Sequence, residues 1–286
     1  MKTAEILELT NVLKAEPRQK PAYKLAIVGA GCGDIELLTL KAARLISSAE
    51  VIVYDALVSD DILSLAPKTC ELYFVGKRCG LPSSTQDYIN ELLLGCAVRG
   101  LNAVRLKGGD PNVFGRGCEE ALFLARNGIA SEFIPGVTAA LGCAASAGIP
   151  LTHRGVARSV TLVTGTVFDT SALGWQSLLS AQTSLVFYMG KEQAANIAHG
   201  LLDAGANVQL PVAFVSNGAR AKQVITYANL GNMAETARKI EVAGPTLIIV
   251  GEVVSVGKEL SGLMDSISNT RAEAALERLA EVGKPV

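Results

Sequence analysis

An alternation of short apolar runs with helix-patterned segments most constrains how this chain can fold. Apolar runs of strand length recur from Lys24 onward, and between the first two of them Leu37, Leu40 and Leu45 return at helical spacing. Strands separated by helices usually pair in parallel, and the helices then cover both faces of the sheet. The sequence therefore predicts an α/β fold.

One break divides the alternation into two halves. Before it, the predicted strands are 24–29, 51–54, 72–75, 103–106 and 132–134, and the predicted helices are 36–48, 85–97 (capped by Ser84 or Thr85) and 117–127. After it, the predicted strands are 159–163, 184–188, 212–215, 223–226 and 247–250, and the predicted helices lie around 175–179, 192–202 and 232–240. The break itself, 136–150, is rich in glycine and alanine, which suits a packed connecting helix or a linker.

These halves predict two α/β domains, the first over 23–137 and the second over 138–260. The short separation of strands 212–215 and 223–226 favours antiparallel pairing, so the second sheet should be mixed. Residues 1–22 are polar and predict an arm, and residues 261–286 predict a surface helix or tail.

Composition excludes several classes of protein. Hydrophobic residues make up 49% and charged residues 19% of the 286, so the bulk of the chain is not disordered. The net charge of −1 predicts no nucleic-acid partner, and no apolar run approaches the ~20 residues of a membrane span. The six cysteines lack zinc or redox spacing, and the polar N-terminus lacks a signal-peptide pattern. We expect a cytoplasmic protein without a metal.

A glycine-rich run follows the first predicted strand. Gly29 and Gly31 have dinucleotide-turn spacing, with Asp55 placed as a ribose-binding acid, but Asp34 stands where the third glycine is required. The spacing argues against a dinucleotide site. An ordinary strand-to-helix turn and a ligand loop both remain open.

A second loop, Gly108-Gly109-Asp110-Pro111, follows the fourth predicted strand. Its carboxylate beside bare backbone suits ribose hydroxyls, an amine or a cationic sulfonium. An ordinary turn fixed by the proline explains it equally well. Met189, at the end of a later strand, suits either an adenine or methyl contact or the hydrophobic core.

Cations gather at the predicted strand ends and loops. They are Lys77, Arg78, Arg105, Lys107, Arg116, Arg154 and Arg158. Ligands of open α/β sheets bind at the carboxyl ends of strands. The placement predicts an anionic ligand, although solvated surface charges would look the same.

Taken in order, eight segments resemble the S-adenosylmethionine-dependent tetrapyrrole methyltransferases, and among them the uroporphyrinogen-III C-methyltransferases. The segments are VGAGCGDIELLTLKA, VIVYDALVS, FVGKR, VRLKGGDPNVFGRGCEE, IPGVTAA, AGIPLTHR, LVFYMG and GPTLIIVGEVV. They cover about residues 24–260. The resemblance implies two α/β domains with the active site in the cleft between them, and a homodimer.

The same resemblance implies roles for individual residues. Asp55 falls on the family's proton acceptor and Lys77 on its proton donor. The S-adenosylmethionine contacts fall on Cys32, Gly108, Gly109, Asp110, Val113, Thr138, Ala139, Met189 and Gly218. The positions at which the family binds the tetrapyrrole substrate fall on Arg116, Glu119 and Arg154.

The implied activity is two methyl transfers to uroporphyrinogen III, giving precorrin-2 for sirohaem, cobalamin or haem d1. The alternatives are a methyltransferase for a later corrin precursor and a catalytically silent cofactor-binding protein, with a nicotinamide-dependent dehydrogenase a distant fourth. The chain departs from the family at Cys32, where proline is usual, and at Ala56, where arginine is usual. The loss of that arginine bears on substrate affinity or identity.

Overall fold

Five strands of four or five residues each build a parallel sheet in the first half of the chain. The computed structural model describes residues 25–76, 85–165, 172–179 and 182–282. The strands are β1 (Leu25–Gly29), β2 (Val51–Tyr54), β3 (Glu71–Phe74), β4 (Ala103–Lys107) and β5 (Ser131–Ile134). Their order is β3-β2-β4-β1-β5 and every pair is parallel. All five carboxyl ends therefore meet at one edge.

A short 3-10 helix, Ile35–Leu37, precedes the five α-helices that accompany this sheet in the described residues. They are α1 (Leu40–Ser47), α2 (Asp60–Leu63), α3 (Gln86–Val98), α4 (Gly117–Arg126) and α5 (Ala139–Ser146). Thr85 caps α3, as predicted, by accepting a hydrogen bond from Tyr88 N at 3.2 Å. The helix predicted over 36–48 instead begins at Leu40, because Thr39 caps it through Ala42 N at 3.1 Å.

The period-two alternation of the strands divides the core between the two faces of the sheet. Ile27, Val53 and Ala103 pack with the inner faces of α3 and α4. Val28 and Ile52, one position along, pack with α1 and α2. A residue's parity along β4 therefore decides which helices it meets. Arg105 and Lys107 share the parity of Ala103 and face α3 and α4.

The second half forms a mixed sheet. Its strands are β6 (Ser159–Thr164), β7 (Thr183–Tyr188), β8 (Pro211–Ser216), β9 (Val224–Asn229) and β10 (Thr246–Val250), in the order β6-β7-β10-β8-β9. Only β6 and β7 pair in parallel. Strands β8 and β9 pair antiparallel, as their short separation in sequence predicts.

Four described helices belong to this half: α6 (Ala172–Leu178), α7 (Ala194–Asp203), α8 (Met233–Lys239) and α9 (Val253–Val282). Phe187 and Phe214 are fully buried and anchor the core. Gly200 of α7 lies directly against the Trp175 ring, where any larger side chain would collide. Helix α9 continues through most of the predicted tail.

The α/β prediction is confirmed in both halves. The chain divides into two units, one ending at Gly142 and the other beginning at Cys143. The domain limits proposed from the sequence, and the cleft expected between the domains, stay predictions. None of the helices in the described ranges is both long and apolar enough to cross a membrane.

Candidate active site

Three loops at the carboxyl edge of the first sheet cross with only backbone between them. A Cβ placed on Gly29 would lie 2.6 Å from Gly109 O and 2.6 Å from Gly136 N. Gly31 and Gly109 exchange two hydrogen bonds, Gly31 N to Gly109 O at 3.1 Å and Gly109 N to Gly31 O at 2.7 Å. Gly29 and Gly31 therefore serve this crossing of loops. Asp34, which stands where a dinucleotide turn needs its third glycine, instead accepts a hydrogen bond from Glu36 N at 2.9 Å and caps a short 3-10 helix.

Asp110 ties two of these loops together through its carboxylate. Its Oδ1 accepts a hydrogen bond from Asn112 N at 2.8 Å, and its Oδ2 accepts one from Gly136 N at 3.1 Å. The loop after β4 is thereby fixed to the loop after β5. The negative charge stays at the sheet edge, and each oxygen keeps a second lone pair for a ligand donor.

Gly108 and Gly109 have opposite surroundings. A Cβ on Gly108 would lie 2.5 Å from Leu57 Cβ, so that glycine permits close packing within the protein. Gly109 has a φ of +69°, and the nearest atom to a Cβ there would be Thr138 Cα at 3.7 Å. A Cβ on Gly109 would therefore touch Thr138 and Ala139 without colliding, at the loop where the cofactor contacts are predicted.

The remaining predicted cofactor residues of the first unit surround the same loops. Val113 N donates to Asp110 O at 3.2 Å, and Ala139 begins α5 next to Thr138. Cys32 packs its sulfur against Gly142 of α5, where a Cβ would collide with Sγ. This contact gives Cys32 a packing role in place of the proline usual in the family.

Asp55 stands directly after β2 as an oriented, partly exposed carboxylate. Its Oδ1 accepts from Leu57 N at 3.1 Å, and its Oδ2 lies 3.9 Å from an Arg105 guanidinium nitrogen. The side chain is 25% exposed. Lys77, its predicted catalytic partner, lies outside the described residues.

A buried charged cluster lies beneath Asp55, between the sheet and helices α3 and α4. Glu120 Oε1 is 3.2 Å from Arg105 Nε and 3.0 Å from Lys107 Nζ, and it also accepts from Gln86 Nε2 at 3.3 Å. Burial lowers the pKa of Lys107, and Arg105 adds to this, while Glu120 and Asp55 oppose it. Arg105 and Lys107 are thus paired inside the protein, in contrast to the ligand-facing placement predicted for them.

Arg116 and Glu119, both predicted substrate residues, form a bidentate pair with each other at the start of α4. The two contacts measure 2.9 Å (Nε to Oε1) and 2.6 Å (NH2 to Oε2), and both side chains are more than half exposed. The hydrogen bond to Glu119 raises the pKa of Arg116, and the same bond lowers the pKa of Glu119.

The second unit holds the other predicted residues. Met189 follows β7 with a φ of +52° and is 49% exposed, so its interpretation as a core residue is wrong. Gly218 follows β8 and packs against Cys143, where any side chain would collide. Arg154 is exposed in the turn between His153 and Ala157, whose backbones exchange hydrogen bonds.

Backbone strain concentrates in the loops that hold the predicted site residues. Six described residues other than glycine have a positive φ, and five of them lie in the candidate loops: Phe114, Arg116, Met189, Asn217 and Ala219. Such conformations persist where the surrounding structure holds them, and they cluster at functional sites. Within the same described residues, no His, Cys, Asp or Glu side chains group as a metal site would require.

Comparison with known proteins identifies the family. Residues 24–234 match the Tetrapyrrole (Corrin/Porphyrin) Methylases. The chain is a tetrapyrrole methylase. The resemblance drawn from the eight sequence segments is therefore confirmed.

Two relatives of this tetrapyrrole methylase show how similar it is to individual proteins of the family. It is 45% identical over 256 residues to a siroheme synthase of Citrobacter koseri, covering 90% of this chain but 55% of the relative. The chain thus spans about half the length of the curated relatives it matches. A uroporphyrin-III C-methyl transferase of Thermus thermophilus is 42% identical with a TM-score of 0.69, over 82% of this chain and 99% of that one.

The Thermus structure is complexed with S-adenosyl homocysteine, the demethylated form of the cofactor predicted here. A cobalt precorrin-4 methyltransferase, 23% identical with a TM-score of 0.72, covers 83% of this tetrapyrrole methylase and 99% of its own chain, and it shares the fold alone.

Sequence reasoning missed Glu120 altogether. The signal was present, because Arg105 and Lys107 are two apart on a strand buried on both faces. Two cations on one buried face require an acidic partner. Only the fold shows that the partner comes from α4.

Proposed function

We propose that this tetrapyrrole methylase transfers two methyl groups from S-adenosylmethionine to uroporphyrinogen III, giving precorrin-2. The observation that carries the proposal is the 42% identity over 99% of the Thermus uroporphyrin-III C-methyl transferase. The siroheme synthase relatives favour sirohaem as the destination of the product. A homodimer in the cytoplasm stays the expected form of the protein.

The glycine loops of the first unit fit the cofactor. The residues that would hold it there are Cys32, Gly108, Gly109, Asp110, Val113, Thr138 and Ala139, with Met189 and Gly218 as further predicted contacts. The bare backbone at Gly109 permits close approach, and the Asp110 carboxylate favours a cation nearby. When bound, S-adenosylmethionine supplies an electrophilic methyl group on a sulfonium.

Asp55 accepts the proton that the cationic macrocycle loses after methyl transfer. The pyrrole carbon that takes the methyl group already carries a carboxylate side chain and no hydrogen, so the proton leaves a neighbouring N–H or bridging CH2 group. The Leu57 N–H and the Arg105 guanidinium fix the orientation of its carboxylate, and its partial exposure leaves it accessible to substrate. A positioned carboxylate of this kind acts as a general base. Lys77 stays the predicted proton donor.

Exposed guanidinium groups bind the substrate, which carries eight carboxylates. Arg116 and Arg154 are exposed, and the Glu119 pair holds the Arg116 guanidinium in one orientation. Arginine pairs with carboxylates through two parallel hydrogen bonds. Local cations thus serve an anionic substrate in a chain whose net charge is −1.

The decisive experiment incubates the protein with S-adenosylmethionine and enzymatically generated uroporphyrinogen III and follows the tetrapyrrole by mass spectrometry. The proposal expects a gain of two methyl groups. Unchanged uroporphyrinogen III, with binding of the cofactor intact, would favour a silent homologue. Methylation of a later corrin precursor alone would assign the chain to that branch of the family.

A further inference from the structure

The cluster beneath Asp55 is charge-balanced and closed. Asp55 and Glu120 supply two negative charges, and Arg105 and Lys107 supply two positive ones. The Glu120 side chain is 0% exposed, and Arg105 and Lys107 are at most 5% exposed. Of the four groups, only Asp55 reaches the surface of the first unit, at 25%. The cluster therefore connects one accessible carboxylate to three buried charges.

Arg105 links the two carboxylates directly. Its guanidinium contacts Glu120 Oε1 through Nε and approaches Asp55 Oδ2 at 3.9 Å through NH2. It also donates to the carbonyls of Val53 at 3.3 Å and Leu106 at 3.0 Å, which fixes it to β2 and β4. A guanidinium held in this way cannot move closer to Asp55 without leaving Glu120.

Lys107 contacts Glu120 as well, from the next position on the same face of β4. Its ammonium binds Glu120, and Asp55 is among the charges that stabilise its protonated form. The other groups facing the cluster are Gln86 and Asn90 of α3 and Arg116 and Glu119 of α4. Among the described residues, Glu120 Oε2 is buried without a hydrogen-bond partner. Glu120 therefore contacts Arg105 and Lys107 through Oε1 alone.

We propose that Glu120 and Lys107 are positioning residues that set the proton affinity of Asp55 through Arg105. The inference rests on the proposed function, in which Asp55 accepts a proton. The negative charge of Glu120 weakens the electric field of the Arg105 guanidinium at the Asp55 carboxylate. The positive charge of Lys107 in turn weakens the electric field of Glu120. A general base must hold its proton neither too weakly nor too strongly, so charges around Asp55 bear on its function.

Coulomb's law gives the two substitutions opposite signs. Glu120→Gln removes a negative charge near Asp55, so Asp55 should take up its proton at lower pH. Lys107→Met removes a positive charge, so Asp55 should take up its proton at higher pH. Charges several Å apart in partly buried sites shift such midpoints by about 0.5–1 pH unit.

The first measurement needs no substrate. The 13Cγ resonance of Asp55 in the full chain, identified by its loss in Asp55→Asn, is titrated in the parent and in both variants. We expect the midpoint to fall in Glu120→Gln and rise in Lys107→Met. Glu91→Gln and Lys68→Met, which remove exposed charges outside the cluster, should leave it in place. Equal midpoints, or shifts in the same direction, would overturn the proposal.

The second measurement is the pH profile of turnover on uroporphyrinogen III. The acid limb of kcat should move in the same two opposite directions, while KM changes by less than about threefold. A purely structural role would lower kcat in both variants without displacing the limb in opposite senses. An inactive parent would refute the proposed function, and the Asp55 titration would still decide whether the cluster acts as inferred.

Discussion

At the scale of single residues, a substitution of Asp55 separates the effect on turnover from the effect on cofactor binding. Asp55→Asn keeps an oxygen that can accept from Leu57 N, so the loop after β2 should stay in place. We expect S-adenosylhomocysteine binding, measured by calorimetry, to be unchanged. Turnover should fall by about 10²-fold or more, because an amide cannot accept the proton.

The control for Asp55→Asn is Asp61→Asn, which removes an exposed carboxylate from α2 in the same part of the chain. It should leave both turnover and cofactor affinity at parental values. Turnover of Asp55→Asn within about threefold of the parent would show that another group accepts the proton.

Ala56 tests substrate recognition at the next position. Its side chain is exposed, although both its backbone nitrogen and its Cβ lie close to Gly76, so an arginine at this position would extend toward solvent. A hydrogen bond to a charged group is worth roughly 1.5–3 kcal/mol, less when solvent-exposed. Ala56→Arg should therefore lower the Michaelis constant for uroporphyrinogen III by about three- to tenfold, and the gain should shrink at high salt.

Steady-state kinetics at two salt concentrations measure the effect of Ala56→Arg, and cofactor affinity should not change. Weaker binding of uroporphyrinogen III by the arginine variant would indicate that the region around residue 56 suits a different tetrapyrrole.

At the scale of elements, the crossing of the loops after β1, β4 and β5 depends on having no side chains. Gly136→Ala would drive its Cβ into the Gly109 carbonyl, and backbone cannot move aside as a flexible side chain can. We expect a loss of stability of about 1–3 kcal/mol or more, read from the urea midpoint. Gly262→Ala, in α9 with no atom within 4 Å, should be neutral or slightly stabilising.

The loop after β4 gives a different result at Gly109, because a Cβ there would touch Thr138 and Ala139 without colliding. Gly109→Val should fold, with the strain of a β-branched residue at positive φ, and should lose S-adenosylhomocysteine binding by calorimetry. Gly128→Val is the matched control. Gly128 also has a positive φ (+77°), and a Cβ there would meet no atom within 4 Å, but it follows α4, away from the candidate loops. Normal binding by Gly109→Val would remove this loop from the cofactor site.

The same elements show what the sequence could and could not predict. Periodicity located the described strands to within about three residues, because short apolar runs alternate with helix-patterned segments along the chain. The start of α1 was misplaced because the Thr39 cap overrides the apolar spacing that begins at Leu37. The Asp55–Arg105–Glu120–Lys107 cluster escaped prediction, because it joins β2, β4 and α4 through contacts that no local pattern encodes.

At the scale of the whole molecule, family resemblance supplied the site residues that physical reasoning left open. Motif chemistry alone allowed a turn or a ligand loop at Gly108–Asp110. The structure adds the reason for each residue: Gly108 for packing, Gly109 for open backbone and Asp110 for fixing the loop after β5. Sequence patterns thus located the loops, and the fold assigned their separate roles.

Cys96 reports on the folding of the first unit as a whole. It is fully buried in α3, and burial raises the pKa of its thiol to about 12 from an ordinary value of 9.0. A raised pKa in the folded state contributes stability that is complete below pH 9 and is lost as pH rises toward 12. Between pH 7 and pH 10, this group should therefore remove about 1–2 kcal/mol of unfolding free energy. Urea unfolding at both pH values measures the loss, and Cys96→Ala, although less stable at pH 7, should lack that part of the pH dependence. An unchanged slope in the alanine variant would mean that the thiol ionises equally easily in the folded and unfolded chains, which a fully buried position does not allow.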